Sequence, residues 1–249
     1  MIRVLFIIAA AGIVLAAVCF GGAFALGGRD IAENGWTIPA NWEFDSDRRE
    51  FRAVDAGPTT TRTLEWAGAE SLEIHLAADV EFTQAETPSM VITGPAELVR
   101  QIAVEGGRID FDDRGDRGFS GVRFRDAPRV RIVVAGPEVR RFELHGSQDL
   151  TVNDYDQDTF TLAIHGSGDV VARGRAQTVD LEIHGSGDAD LSGLTSESAE
   201  VMIAGSGEAE VAPTGRADIS IHGSGDVTLA SRPAQVSRNI HGSGDIHQR

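Results

Sequence analysis

Histidine and an acidic residue recur in step along the second half of this sequence. His145-Gly146-Ser147-Gln148-Asp149 is followed by His165-Gly166-Ser167-Gly168-Asp169 and by His184-Gly185-Ser186-Gly187-Asp188. Ala204-Gly205-Ser206-Gly207-Glu208, His222-Gly223-Ser224-Gly225-Asp226 and His241-Gly242-Ser243-Gly244-Asp245 complete the series. Successive copies are 20, 19, 20, 18 and 19 residues apart. If the copies stack, His145, His165, His184, His222 and His241 form an outward column, interrupted at Ala204. A row of imidazoles is a candidate ligand set for a transition metal. The second row, Asp149, Asp169, Asp188, Asp226 and Asp245 with Glu208, is a candidate for calcium. Neither row requires a metal to exist, because carboxylates about 5 Å apart in water-like surroundings repel by only about 0.8 kcal/mol. Calcium-binding nonapeptide repeats also carry Gly-rich turns, but their period is about half of this one. The ten histidines and aspartates are therefore read as candidate binding residues. No catalytic residue, resident metal or cofactor is assigned.

The glycines between the two rows have a structural explanation. Gly146, Gly166, Gly185, Gly205, Gly223 and Gly242, with Gly168, Gly187, Gly207, Gly225 and Gly244, allow a sharp corner at the same height in every copy. Serine and aspartate can accept hydrogen bonds from turn amides. Gln148 replaces a glycine in the first copy, and the reading here is a less regular edge coil.

The elements that must hold these corners show in the apolar pattern. Just before each His position stand Leu144, Ile164, Ile183, Ile203, Ile221 and Ile240, and two residues earlier Phe142, Leu162, Leu181, Val201, Ile219 and Arg238. Past the acid, Leu150 and Val152, Val170 and Ala172, Ala189 and Leu191, Ala209 and Val211, and Val227 and Leu229 continue the alternation. Period two marks strands with one buried face. Each repeat is thus two short strands joined at the corner, with a looser return segment. A single coil cannot bury its apolar stripe, whereas stacked coils pair in parallel about 4.8 Å apart and can. The expected fold is all-β: a parallel β-helix (β-solenoid) of about 19-residue coils, preceded by one N-terminal apolar helix. A propeller blade needs roughly twice this unit.

Composition narrows the chemistry. Every one of the 22 basic residues is Arg, so lysine Schiff bases and Walker-type phosphate loops are excluded. A net charge of −16 argues against nucleic acid and anionic lipid surfaces. The one cysteine, Cys19, lies in an apolar segment and leaves the folded part without disulfides. That segment, Val4 to Gly28, holds 25 uncharged residues between Arg3 and Arg29. It reads either as a membrane anchor or as a signal peptide cleaved after Ala23-Phe24-Ala25. Both send the remainder out of the cytoplasm. The expected organisation is residues 1–28 as signal peptide or anchor, 29–62 as linker, and 63–249 as the β-solenoid domain. Trp36 and Trp42 in the linker are candidates for the membrane interface.

From about residue 63 to 246, the repeated Ile-His-Gly-Ser-Gly-Asp resembles the signature of the auto-transporter adhesin, head GIN domain family of bacterial envelopes. The earlier part fits that family's order as well. Leu72 to His75 and Asp79 to Phe82 read as a coil lacking the glycine corner. Met90 to Thr93, Ile102 to Glu105, Arg108 to Phe111 and Val130 to Val134 read as strands, and Arg114 to Asp126 as an exposed loop. The resemblance implies the fold and an envelope location. It implies a non-catalytic binding or adhesion role toward an envelope glycan or protein. The alternatives are a membrane-tethered structural or regulatory protein and, third, a polysaccharide-acting enzyme. The one non-repeated acidic cluster available to an enzyme is Asp154, Asp156 and Asp158, which also reads as a solvated turn. Only four residues follow the last motif. The uncapped C-terminal coil is accordingly expected to support homo-oligomerisation, or to be blunted by Arg238 and Asn239.

Overall fold

The computed structural model describes residues 58–111 and 130–249. The expected N-terminal helix, the tryptophans of the linker and the Arg114–Asp126 loop lie outside them. Among the described residues no helix is long and apolar enough to cross a membrane. The strands are β1 Thr59–Leu64, β2 Ser71–Ile74, β3 Ala78–Gln84, β4 Ser89–Pro95, β5 Ile102–Glu105, β6 Arg108–Phe111, β7 Val130–Gly136 and β8 Arg141–Gly146. The repeat region holds β9 Asp149–Gly166, β10 Asp169–Gly185, β11 Ala189–Gly205, β12 Glu208–Gly223, β13 Asp226–Leu229, β14 Gln235–Gly242 and β15 Ile246–Gln248. One short helix, α1 (Ala96–Gln101), follows β4. β1 begins at Thr59, within the stretch expected to be linker.

All fifteen strands belong to one coiled sheet, and the repeats stack in parallel as a β-solenoid. Leu181 pairs with Leu162 and Val201, Ile183 with Ile164 and Ile203, and Ile221 with Ile203 and Ile240. Leu144, Ile164, Ile183, Ile203 and Ile221 are fully buried. Such aliphatic side chains contribute roughly 1.5–3 kcal/mol each before ordering entropy is subtracted. Val170, Ala189, Ala209 and Val227 form a matching inward column past the corner. At the opposite end the core widens. Phe82, Phe142, Tyr155 and Phe160 cluster with ring centroids 5.0 to 6.4 Å apart.

The return segment is tighter than expected. β9 to β12 run 16 to 18 residues each, from one acidic corner through the return to the next glycine. The return therefore pairs with its neighbours too, with register shifts near Gly174 and between Leu191 and Thr195.

The coils do not stack in chain order. The first coil, β2–β3, pairs with β8 and the start of β9 on one side, and with β6 and β7 on the other. The chain thus lays the β6–β7 layer beneath β2–β3 before returning above it. Antiparallel pairing of β4 with β7, β1 with β4, and β5 with β6 then ends the sheet there. α1 buries Leu98 and Val99 against this end, and the Arg62 guanidinium donates to the Val99 and Ile102 carbonyls.

This order corrects the reading of Gln148 as an edge residue. Its coil is interior, resting on a turn that has no Gly-Ser-Gly. The fully buried Gln148 carboxamide fills the gap, and its Nε2 donates to the Ile74 carbonyl at 3.1 Å and the His145 carbonyl at 2.6 Å. From the next coil onward two corners face each other, and side chains no longer fit. The first glycine of each corner has φ between +129° and +151°. A Cβ on Gly205 would lie 2.9 Å from the Gly185 carbonyl carbon and overlap its oxygen. The second glycine meets the core. A Cβ on Gly225 would lie 2.7 Å from Ile203 Cγ2. Gly205→Ala is expected to cost at least about 3 kcal/mol in urea unfolding, since both conformation and backbone contact oppose it. Gly106→Ala in the β5–β6 hairpin, also at positive φ but with open space around the Cβ, should cost only about 1–2 kcal/mol.

Candidate histidine and acidic ladders

Because corner stacks on corner, the side chains just outside it are carried into rows. The backbone ladder runs through the corner itself. The N–H groups of Ser167, Ser186, Ser206, Ser224 and Ser243 donate to the first glycine's carbonyl one coil below, at 2.8–2.9 Å. His145, His165 and His184 lie in register, as do His222 and His241. Their rings stack at centroid distances of 4.8, 5.1 and 5.0 Å with interplanar angles of 5–20°. His75 extends the column downward, stacked on His145 at 4.2 Å and 10°. It is missed by repeat reading because its turn lacks the glycines. The signal was present in Leu72-Glu73-Ile74-His75, which matches Phe142-Glu143-Leu144-His145 position for position.

A carboxylate column runs beside the rings. Glu73, Glu143 and Glu182 place an oxygen 3.8, 3.9 and 3.7 Å from Nε2 of His75, His145 and His184. These separations exceed hydrogen-bond distance and correspond to ion pairs only when the ring is protonated. Next to His165 the corresponding residue is Ala163. Burial, followed by the neighbouring His145 and His184, lowers the affinity of His165 for a proton, and Glu143 and Glu182 oppose this. Parallel rings in one column aim their nitrogens side by side. Among the described residues no group of three or more His, Cys, Asp or Glu is arranged to hold a metal ion.

Past the corner the acids also align. Asp79, Asp149 and Asp169 are paired in sequence across the coils, and Asp226 pairs with Glu208. Asp188 joins the row through the adjacent Val170–Ala189 register, and Asp245 through Val227–Ile246. Asp79 is a rung whose turn lacks the Gly-Ser-Gly sequence. Two of the carboxylates serve the corner. Asp188 Oδ1 accepts from the Glu208 N–H at 2.9 Å, and Asp226 Oδ1 from the Asp245 N–H at 2.7 Å. Beside this row an open groove of about 210 Å³ is lined by Asp188, Asp190, Glu208, Glu210 and Asp226, with Arg249 bound to Glu210 at 2.7 Å.

The non-repeated acids sit elsewhere, on the return face. Asp156 is gripped by Arg175 through two hydrogen bonds of 2.7 and 2.8 Å, which hold its carboxyl below the usual range. Asp158 accepts from Gln177 at 2.7 Å, and Asp154 takes a left-handed conformation at the bend, φ +54°. Tyr155 between them is buried, its hydroxyl donating to the Thr159 carbonyl, and burial pushes the phenol's pKa well up.

His165 sets a pH dependence. A folded ring that takes up a proton less readily than the unfolded one costs stability on acidification. His165 therefore contributes its full share above the ordinary imidazole value of about 6.5 and loses it as pH falls from there toward its lower folded value. Thermal unfolding should show a lower Tm at about pH 5.5 than at about pH 7.5. The drop should be smaller in His165→Gln. An equal drop in both proteins would contradict this account.

The comparisons with known proteins agree with the geometry. A solved structure from Bacteroides fragilis, described as a "putative adhesin", superposes with a TM-score of 0.61 at 20% identity, covering 77% of this chain and 97% of that one. A "putative lipid binding protein" from Parabacteroides distasonis gives 0.50 at 21% identity over 78% and 97%. Another P. distasonis "putative adhesin" gives 0.50 at 17% over 78% and 98%. At these identities the likeness is one of fold. No curated protein matches the chain. The sequence profile of the family described as "putative auto-transporter adhesin, head GIN domain" matches residues 70–233, most of the solenoid, and the chain belongs to that family.

Proposed function

We propose that this protein is a non-catalytic adhesion module of the bacterial cell envelope, working outside the cytoplasm. The observation that carries the reading is the acidic ladder: one carboxylate per coil from Asp79 to Asp245, at strand spacing, on a backbone held rigid by its own hydrogen bonds. Such a row meets an extended partner at many weak, equivalent points, and multivalency turns these into useful affinity. The net charge of −16 selects a neutral or cationic partner, a glycan or a protein surface. Membership of an adhesin-described family supports the same role. The uncharged stretch from Val4 to Gly28 supports export or tethering. Catalysis finds less support. Asp156 and Asp158, two of the three non-repeated acids, are engaged by Arg175 and Gln177.

The test is a screen of the purified protein against envelope glycans and whole cells. Saturable, salt-sensitive binding is expected. Asp169→Asn combined with Asp188→Asn should weaken it about tenfold or more without changing Tm by more than a few degrees. Binding indifferent to these changes, or no binding to any envelope component, would remove the reading. Mass spectrometry of the N-terminus in cell envelopes addresses the location. A chain beginning at Leu26 means export with cleavage, one retaining Met1 or Ile2 means anchoring, and recovery from the cytosol alone would defeat both.

A further inference from the structure

The histidine column has one missing rung, and the gap differs from the His184 coil beneath it in two ways at once. Ala204 stands directly between His184 and His222 in the parallel register. The residue two before it, Met202, replaces the glutamate that accompanies His75, His145 and His184. Met202 is one of only three large apolar side chains exposed among the described residues, at 36%. A single coil thus exchanges both its ring and its carboxylate for a methyl and a thioether.

We propose that this gap is a binding slot for the planar side chain of an aromatic residue carried by a protein partner between basic residues. His184 and His222 are two coils apart, hence separated by about 10 Å at a strand spacing of about 4.8 Å. A flat ring set midway lies about 5 Å from each imidazole. That is the interval of the intact column, 4.8 Å for His145–His165 and 5.1 Å for His165–His184. It also falls within the range that stacked aromatic pairs prefer. The floor is the Ala204 methyl, and the Met202 sulfur offers a soft contact to a ring edge. An aliphatic side chain would fill the volume without stacking.

Charge selects the flanks. Glu182 sits beside His184, Glu200 is exposed on the strand of Met202, and the nearby Arg216 is held by Asp218. On the neutral pole of the gap, Ser220 Oγ lies 3.4 Å from His222 Nε2. Arginines beside the inserted ring would therefore meet carboxylates, whereas a nucleobase would bring phosphate against a chain of net charge −16. The inference names a partner class and does not depend on the acidic ladder, which lies past the corner.

The full-length chain is titrated with acetyl-Arg-Trp-Arg-amide and followed by tryptophan fluorescence and by the ring-proton resonances of the histidines. Saturable binding is expected, with ring-current shifts at His184 and His222 and none at His75. Acetyl-Arg-Ala-Arg-amide should bind at least tenfold more weakly, and so should acetyl-Asp-Trp-Asp-amide. Ala204→His restores the rung that five other corners carry, so the variant should fold. It should lower affinity for the tryptophan peptide about tenfold. Equal binding of the alanine peptide, full affinity in Ala204→His, or no saturable binding at all would each overturn the proposal. Glycan and cell binding through the acidic row is read separately, so failure of one assay leaves the other interpretable.

Discussion

The close approach of one corner's backbone to the next governs everything built on this scaffold. From Ser167 to Ser243 each corner serine N–H reaches the glycine carbonyl of the coil below at 2.8–2.9 Å, and a side chain on the upper coil's first glycine would overlap that acceptor oxygen. Where one such corner lies on another, the turn keeps its height only while the upper one carries both glycines. Given that register, the inward aliphatic columns pack and the outward residues fall into rows. Rows of like residues thus follow from the corner geometry whether or not a ligand is involved.

What the rows are made of is a separate matter, and here the chain shows selectivity. Stacked imidazoles tolerate 4.2–5.1 Å spacing because they are flat and amphipathic. Glutamates stand beside three of them, 3.7–3.9 Å from Nε2. The acidic row carries its repulsion at the surface, where water screens it, and two of its carboxylates offset part of the cost by accepting main-chain N–H groups. Against this regularity the Met202–Ala204 coil and the Ala163 position stand out as local departures that the fold does not require.

Much of the fold and both of its rows were legible from the repeats alone. The inward columns, the parallel stacking and the outward histidines follow from alternation and period, because both are local properties of the chain. The family resemblance rested on the same residues. His75 and Asp79 escaped because their coil lacks the glycine marker, although their apolar neighbours Leu72, Ile74, Val80 and Phe82 keep the register. Gln148 looked like an edge residue for a related reason. Its meaning depends on what lies beneath it, and a sequence shows only what precedes it.

By itself, then, the sequence determined the coil: its length, its buried face, its glycine bend and the residue types displayed outward. These depend on steric rules and hydrophobic periodicity acting over a score of residues. Only the tertiary structure decided the order in which coils lie. The β6–β7 layer slips beneath β2–β3, the later repeats climb from the opposite side, and the antiparallel strands with α1 close the lower end. It also decided that the returns join the sheet and that Asp156 is neutralised by Arg175. The physical reason is the same in each case. Apolar edges pair with whichever strand buries them best, and that choice is a comparison between distant segments that no local pattern contains.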